Sequence, residues 1–119
     1  FIKRNSLKNL EKIIHPLVRK QQIKFINRYK SKKLIVFEIP LLIESKLSKH
    51  YDKTIFVNSK KSLRLKRYLK RGKNRKIFNL LDKRQLPPAK KIKFSHYVIN
   101  NNNSLRNLKK SVKIFIRKL

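Results

Sequence analysis

Arg64, Arg67 and Arg71 fall at spacings of three and four, so on a helix they share one face. A guanidinium grips phosphate oxygens with a two-pronged fork that a lysine ammonium lacks. A row of such forks beside a cleft suits a polyphosphate. Arg75 extends the row only if the helix continues past Gly72, and Arg84 closes the basic stretch. The plain alternative is a solvated basic face.

Acidic residues number five, and three of them, Glu38, Glu44 and Asp52, lie in one short region. A carboxylate such as Glu38, at the end of a strand, could hold a magnesium ion through a water. It could equally be solvated or ion-paired. His15, His50 and His96 are isolated, with no second histidine at metal-binding spacing, so structural roles fit them better. Cysteine is absent, which excludes disulfides and thiolate metal sites. A phosphate-cradling loop of the GxxxxGK[ST] kind needs two glycines, and Gly72 stands alone.

Hydrophobic spacing predicts the elements that position these groups. Leu34 to Ile39 is a short, branched apolar run that reads as a strand buried on both faces. Its carboxyl end, before Pro40, is where open α/β sheets bind ligands. Before it, residues 6–29 show helical spacing, with Ser6 as a possible N-cap. Pro16 predicts a kink there, or a break near Ile14, with His15 capping the break or aimed at a ligand. After it come a short helix at 41–49, a strand at 53–58, a helix from Ser59 to Gly72, and another at 74–85 before Pro87-Pro88. A helical turn at 90–94, a strand at 96–100, an Asn loop and a last helix capped by Ser104 complete the order. Strands alternating with helices imply an α/β fold with a parallel sheet.

The 119 residues allow at most one domain with a real core. The net charge of +30, from 35 basic and 5 acidic residues, calls for an anionic partner or a compositional origin. The even spread of lysines and the near absence of glycine favour composition. No apolar run approaches the roughly 18 residues of a membrane span, and no signal-peptide pattern is present, so a soluble, cytoplasmic protein is expected. The chain lacks an initiating Met and begins inside a helical pattern, which suggests a fragment of a longer protein.

In order along the chain, the residues resemble the dephospho-coenzyme A kinases, P-loop kinases related in fold to adenylate kinase. The matching stretches are Leu10-Glu11-Lys12-Ile13-Ile14-His15-Pro16-Leu17, Ile39-Pro40-Leu41-Leu42-Ile43-Glu44, Tyr51-Asp52 before a strand, and Leu65 to Arg71 with its paired arginines. Gln85-Leu86-Pro87, Lys91, and Tyr97 to Asn102 extend the match. The Pro-Leu-Leu-x-Glu stretch is the most specific, and the ordered set outweighs any single motif. His96 stands where the family usually has Asp, and Glu38 where Asp is often seen.

The resemblance implies an α/β parallel-sheet P-loop kinase fold, truncated at its N-terminus. Residues 1–119 would be the C-terminal part of one kinase domain, with a helical lid at about 64–92. The glycine-rich loop and the catalytic Asp would lie upstream, leaving no catalytic residue here and an inactive fragment. The missing first strand would leave an empty slot between the strands at 34–39 and 53–58. The implied reaction is ATP-dependent phosphorylation of the 3′-hydroxyl of dephospho-coenzyme A, the last step of coenzyme A synthesis, with ATP and Mg2+. Arg67 and Arg71 would clamp ATP phosphates, and Asn100 and Asn102 would lie near the adenine. His15, Leu41, Leu42 and Glu44 would border the acceptor, and Glu38 would hold the metal through a water. The rival reading is a basic RNA- or DNA-binding module, invited by the charge but lacking a stacking surface or motif.

Overall fold

A computed structural model describes residues 4–119, with side chains from residue 9 onward except residue 11. The chain divides into two units, residues 1–38 and 39–119.

In the first unit, α1 (Arg4–Arg28) is one helix with Pro16 inside it. Neither the expected break nor the cap at Ser6 occurs: the helix starts before Ser6 and continues past His15. One backbone bond lost to proline does not end a helix of 25 residues. The segment 34–39, expected as a strand buried on both faces, forms no ladder with any described strand. Its residues alternate instead: Leu34 and Val36 are exposed, while Ile35 and Phe37 are half-buried. Burial on both faces needs a layer on each side. Here the Phe37 ring packs edge-on against Phe25 of α1, with centroids 5.7 Å apart, and Phe25 also meets Tyr29 at 4.6 Å.

The second unit opens with hydrogen-bonded turns over 40–46 in place of the expected helix, followed by a 3-10 turn at Ser48–His50. Leu41 and Lys46 both take left-handed backbone angles, with φ of 56°. Repeated reversals of this kind prevent a continuous helix.

Strand β1 (Ile55–Asn58) pairs in parallel with β2 (Tyr97–Asn100), as the alternation of elements predicted. Among the described residues each strand is paired along one edge only. Between them run α2 (Lys61–Lys70), α3 (Arg75–Lys83) and α4 (Pro88–Lys93). Gly72, at φ 70°, ends the α2 region, and its N–H donates to the Leu69 carbonyl at 2.9 Å. Asn74 caps α3 by accepting from the Lys76 N–H at 2.7 Å, and Pro88 supplies the first turn of α4. The last helix, α5 (Leu105–Ile116), is capped by Ser104 as its sequence predicted.

The core of this unit is small. Phe78 of α3 and Ile99 of β2 are its buried apolar residues among those described. Phe78 stacks at a tilt on Tyr68 of α2, 5.6 Å between centroids, and Phe115 of α5 meets Tyr97 of β2 at 4.8 Å.

Candidate functional site

The two strands end side by side, and their register continues into the loops beyond them. Asn58 faces Asn100 in the ladder, and the Asn58 amide donates to the Asn100 side-chain oxygen at 3.1 Å. The Asn101 N–H donates to the Asn58 carbonyl at 2.8 Å, and the Ser59 hydroxyl to the Asn101 carbonyl at 3.1 Å. One residue on, the Lys60 N–H donates to the Asn102 side-chain oxygen at 2.8 Å. Side chains thus staple the two loops at the carboxyl end of the parallel sheet, where α/β proteins place their ligands.

Arg67 reaches this staple from α2. Its Nη1 donates to the Asn101 carbonyl at 3.0 Å and to the Ser59 hydroxyl at 3.3 Å. Ser59, where the helix was expected to begin, is engaged there instead. Lys60 holds the cap position without a side-chain bond.

The arginine row does not act as one surface. Arg64 donates from Nη1 to Asp82 at 2.7 Å and from Nε to the Ser59 carbonyl at 3.2 Å, with its guanidinium 5.8 Å from the Phe78 ring centroid. It ties α2 to α3. Arg71 lies exposed at the C-cap of α2, and Arg75 starts a new helix, so the row stops at Gly72. Lys61 also bonds Asp82, at 2.8 Å. The hydrogen bond from Lys61, opposed by partial burial and reinforced by Arg64, holds the Asp82 carboxyl below its ordinary range.

A second polar cluster forms around Glu44. Its Oε1 accepts from the Leu86 N–H at 2.8 Å and from Lys91 Nζ at 2.9 Å. Lys91 Nζ also donates to Gln85 Oε1 at 2.8 Å and lies 5.7 Å from the Phe56 ring centroid. Burial pushes the Glu44 carboxyl up, but Lys91 and the Leu86 N–H outweigh it and hold the group below its ordinary range. Between the two clusters lies an open cavity of about 390 Å3, bordered by Asn58, Lys60, Lys61, Arg64, Gln85 and Lys91 among others. It is rich in cations, and its nearest carboxylates, Glu44 and Asp82, are already neutralised. An anion is the chemistry it suits.

Other residues singled out in the sequence are placed as follows. Leu41 and Leu42 are half-buried in the 40–46 turns, and Asn102 is half-buried while Asn100 is exposed. His15 lies exposed within α1, so it caps no break, and Glu38 lies exposed in the same unit. Among the described residues no group of three His, Asp or Glu side chains could hold a metal. Glu44 and Asp82 are bound to cations, whereas Glu38 stands single and exposed. His96 keeps a polar role: its Nδ1 accepts the Thr54 N–H at 3.0 Å.

Sequence reasoning named Gln85 and Lys91 but found no partner for them, and it passed over Asp82 and Lys61 as a pair. A usable signal existed for one set. Once Ile55 is paired with Tyr97, the same 42-residue offset joins Ser59 to Asn101 and Lys60 to Asn102.

A family model described as dephospho-CoA kinase matches residues 1–107. Curated dephospho-CoA kinases are similar across the chain. That of Bartonella quintana is 35% identical over 117 residues, covering 96% of this chain and 60% of its own length. That of Fusobacterium nucleatum is 38% identical over 119 residues, again covering 60% of the relative. The crystal structure of TT1252 from Thermus thermophilus superposes with a TM-score of 0.83 at 29% identity, over 97% of this chain and 60% of that one. The chain therefore spans about 60% of the length of the relatives it matches.

Proposed function

This chain belongs to the dephospho-CoA kinase family, and we propose that it forms the lid and acceptor-side part of a kinase transferring the ATP γ-phosphoryl group to the 3′-hydroxyl of dephospho-coenzyme A. The observation that supports this reading is Arg67, fastened between the loops that follow both strands. It puts a guanidinium at the carboxyl edge of a parallel sheet, where a nucleotide would lie.

Phosphoryl transfer depends on positioning and on neutralising charge spread over the transferred group. Arg67 and Arg71 would supply that charge to ATP. Arg67 would do so from a fixed position and Arg71 from an exposed helix end, as suits a segment that closes. Asn100 and Asn102 would border the adenine, with their side-chain oxygens held by the loop staple. Leu41 and Leu42 would line the acceptor side. Residues 64–92 would act as the lid, excluding water as they close. Magnesium would accompany ATP in such a reaction, neutralising charge on the phosphates. A cytoplasmic setting follows from the substrates; among the described residues no helix is long and apolar enough to cross a membrane.

The sequence holds one glycine, so it contains no glycine-rich phosphate loop. Residues 1–119 alone should therefore turn over no ATP with dephospho-coenzyme A. A polypeptide carrying these residues behind such a loop should phosphorylate the 3′-hydroxyl, measured by transfer of labelled γ-phosphate. No transfer by that longer polypeptide would refute the kinase reading. Transfer by 1–119 alone would refute the role assigned to the missing loop.

A further inference from the structure

Lys91 is the buried lysine among the described residues, 9% exposed in a chain with 35 basic residues. An ammonium has three N–H donors, and here each has a destination. One goes to Glu44 Oε1 and one to Gln85 Oε1, leaving the third side to the face of Phe56. Glu44 is nearly as enclosed, its side chain 13% exposed, and it also takes the Leu86 N–H. A charged pair this enclosed holds only while its partners stay in place, because a lone buried charge is strongly disfavoured.

The two halves of the pair come from different parts of the second unit. Glu44 belongs to the 40–46 turns, while Gln85, Leu86 and Lys91 form the junction of α3 with α4. The turns carry two non-glycine residues, Leu41 and Lys46, at a φ of 56°. Such angles are strained for residues with a Cβ and persist where neighbouring structure imposes them. Within the turns, three backbone bonds help: Ser45 to Leu41, Lys46 to Ile43 and Leu47 to Leu42, at 2.9 to 3.0 Å. A side-chain anchor from outside the turns is the Glu44 cluster, which Leu86 and Lys91 supply.

We infer that Lys91 and Gln85 are positioning residues that lock the 40–46 turns to the α3–α4 junction, so the strained Leu41 backbone is kept only while that junction is seated. Glu44 then acts as the bolt of this lock rather than as a group that touches the acceptor. This rests on the proposed kinase reading, because Leu41 and Leu42 are taken as acceptor-side residues and 64–92 as the lid. The consequence is mechanical: lid position and acceptor binding are coupled through one ion pair.

Two measurements test it. Amide exchange is followed on the 119-residue chain as wild type, Lys91→Met and Glu44→Gln. The amides of Ser45, Lys46 and Leu47 should exchange at least about tenfold faster in Lys91→Met, while those of β1 and β2 stay unchanged. Unchanged exchange at 45–47, or equal acceleration throughout the sheet, overturns the lock. Glu44→Gln keeps an acceptor for Leu86, so it carries the same test if Lys91→Met does not fold. In a longer polypeptide with phosphate loop, Lys91→Met should raise KM for dephospho-coenzyme A about tenfold, well beyond any rise in KM for ATP. Equal KM values overturn the positioning role. Absence of turnover in the unsubstituted polypeptide refutes the kinase reading, while the amide result still decides whether the lock exists.

Discussion

Thr54 donates its backbone N–H to Nδ1 of His96 at 3.0 Å, and its carbonyl accepts from the His96 and Tyr97 amides at 2.9 and 3.2 Å. An imidazole therefore closes the amino end of the parallel ladder beside a residue that is 3% exposed. The acceptor must be an unprotonated ring nitrogen, so the ring proton sits on Nε2. An Asp at this position could accept the same N–H, so His96→Asp would preserve an acceptor while adding a charge.

Removing that acceptor leaves a buried donor unmet, which costs about 1–3 kcal/mol. His96→Ala should lower the urea-unfolding free energy by that amount. His96→Asp and His96→Asn should recover most of it. Equal loss in all three would show that the ring's packing, not its nitrogen, supports Thr54.

Arg71 lies exposed at a helix end, whereas Arg64 and Arg67 bond neighbouring loops and Asp82. Arg71→Lys should therefore leave stability unchanged. In a polypeptide with the phosphate loop, the same change should cut kcat/KM for ATP about tenfold, the equivalent of about 1.4 kcal/mol in a lost charge-assisted fork. An unchanged rate would assign Arg71 to the solvated surface.

Asp82 and Glu44 predict an acid-labile fold. The Asp82 carboxyl is lowered first by its hydrogen bond from Lys61, against burial, and then by Arg64. Burial raises the Glu44 carboxyl, but Lys91 and Leu86 together bring it below the ordinary range. A carboxyl lowered by folding binds fewer protons folded than unfolded. Its stabilisation is complete above the unfolded value, about 4, and disappears as pH falls through the folded value. Unfolding midpoints should be flat from pH 7 to 5 and fall steeply below 4. Asp82→Asn and Glu44→Gln should each flatten that fall, and an undiminished slope in both would place its origin elsewhere.

The parts of the fold that were legible depend on local chemistry. The cap at Ser104, the stop at Gly72 and the apolar faces of α3 and α5 need only their own neighbours. The parallel pairing of β1 with β2 followed from helices lying between them. Residues 34–39 misled because a strand is defined by its ladder, and apolar residues alone cannot supply one. Lys91 was hidden for a different reason. With 35 basic residues, nothing local marks which one is buried; only the arrival of Glu44 from 47 residues away decides it. Arg64 looked like a phosphate ligand because the spacing that puts it beside Arg67 says nothing about Asp82.

Gly72 isolates a backbone effect from a packing effect. A Cβ added there meets no heavy atom within 4 Å, so alanine introduces no clash. Its φ of 70° nevertheless lies in the left-handed region, which costs a residue with a Cβ about 1–2 kcal/mol. The turn also sets where α2 stops, since the Gly72 and Lys73 amides close on the carbonyls of Leu69 and Tyr68. Gly72→Ala should therefore destabilise by about 1–2 kcal/mol in urea. Gly72→Asn should cost less, because asparagine tolerates the left-handed region better than alanine. Alanine and asparagine costing the same would mean that the turn relaxes to an ordinary φ, and that α2 does not need a left-handed residue to end where it does.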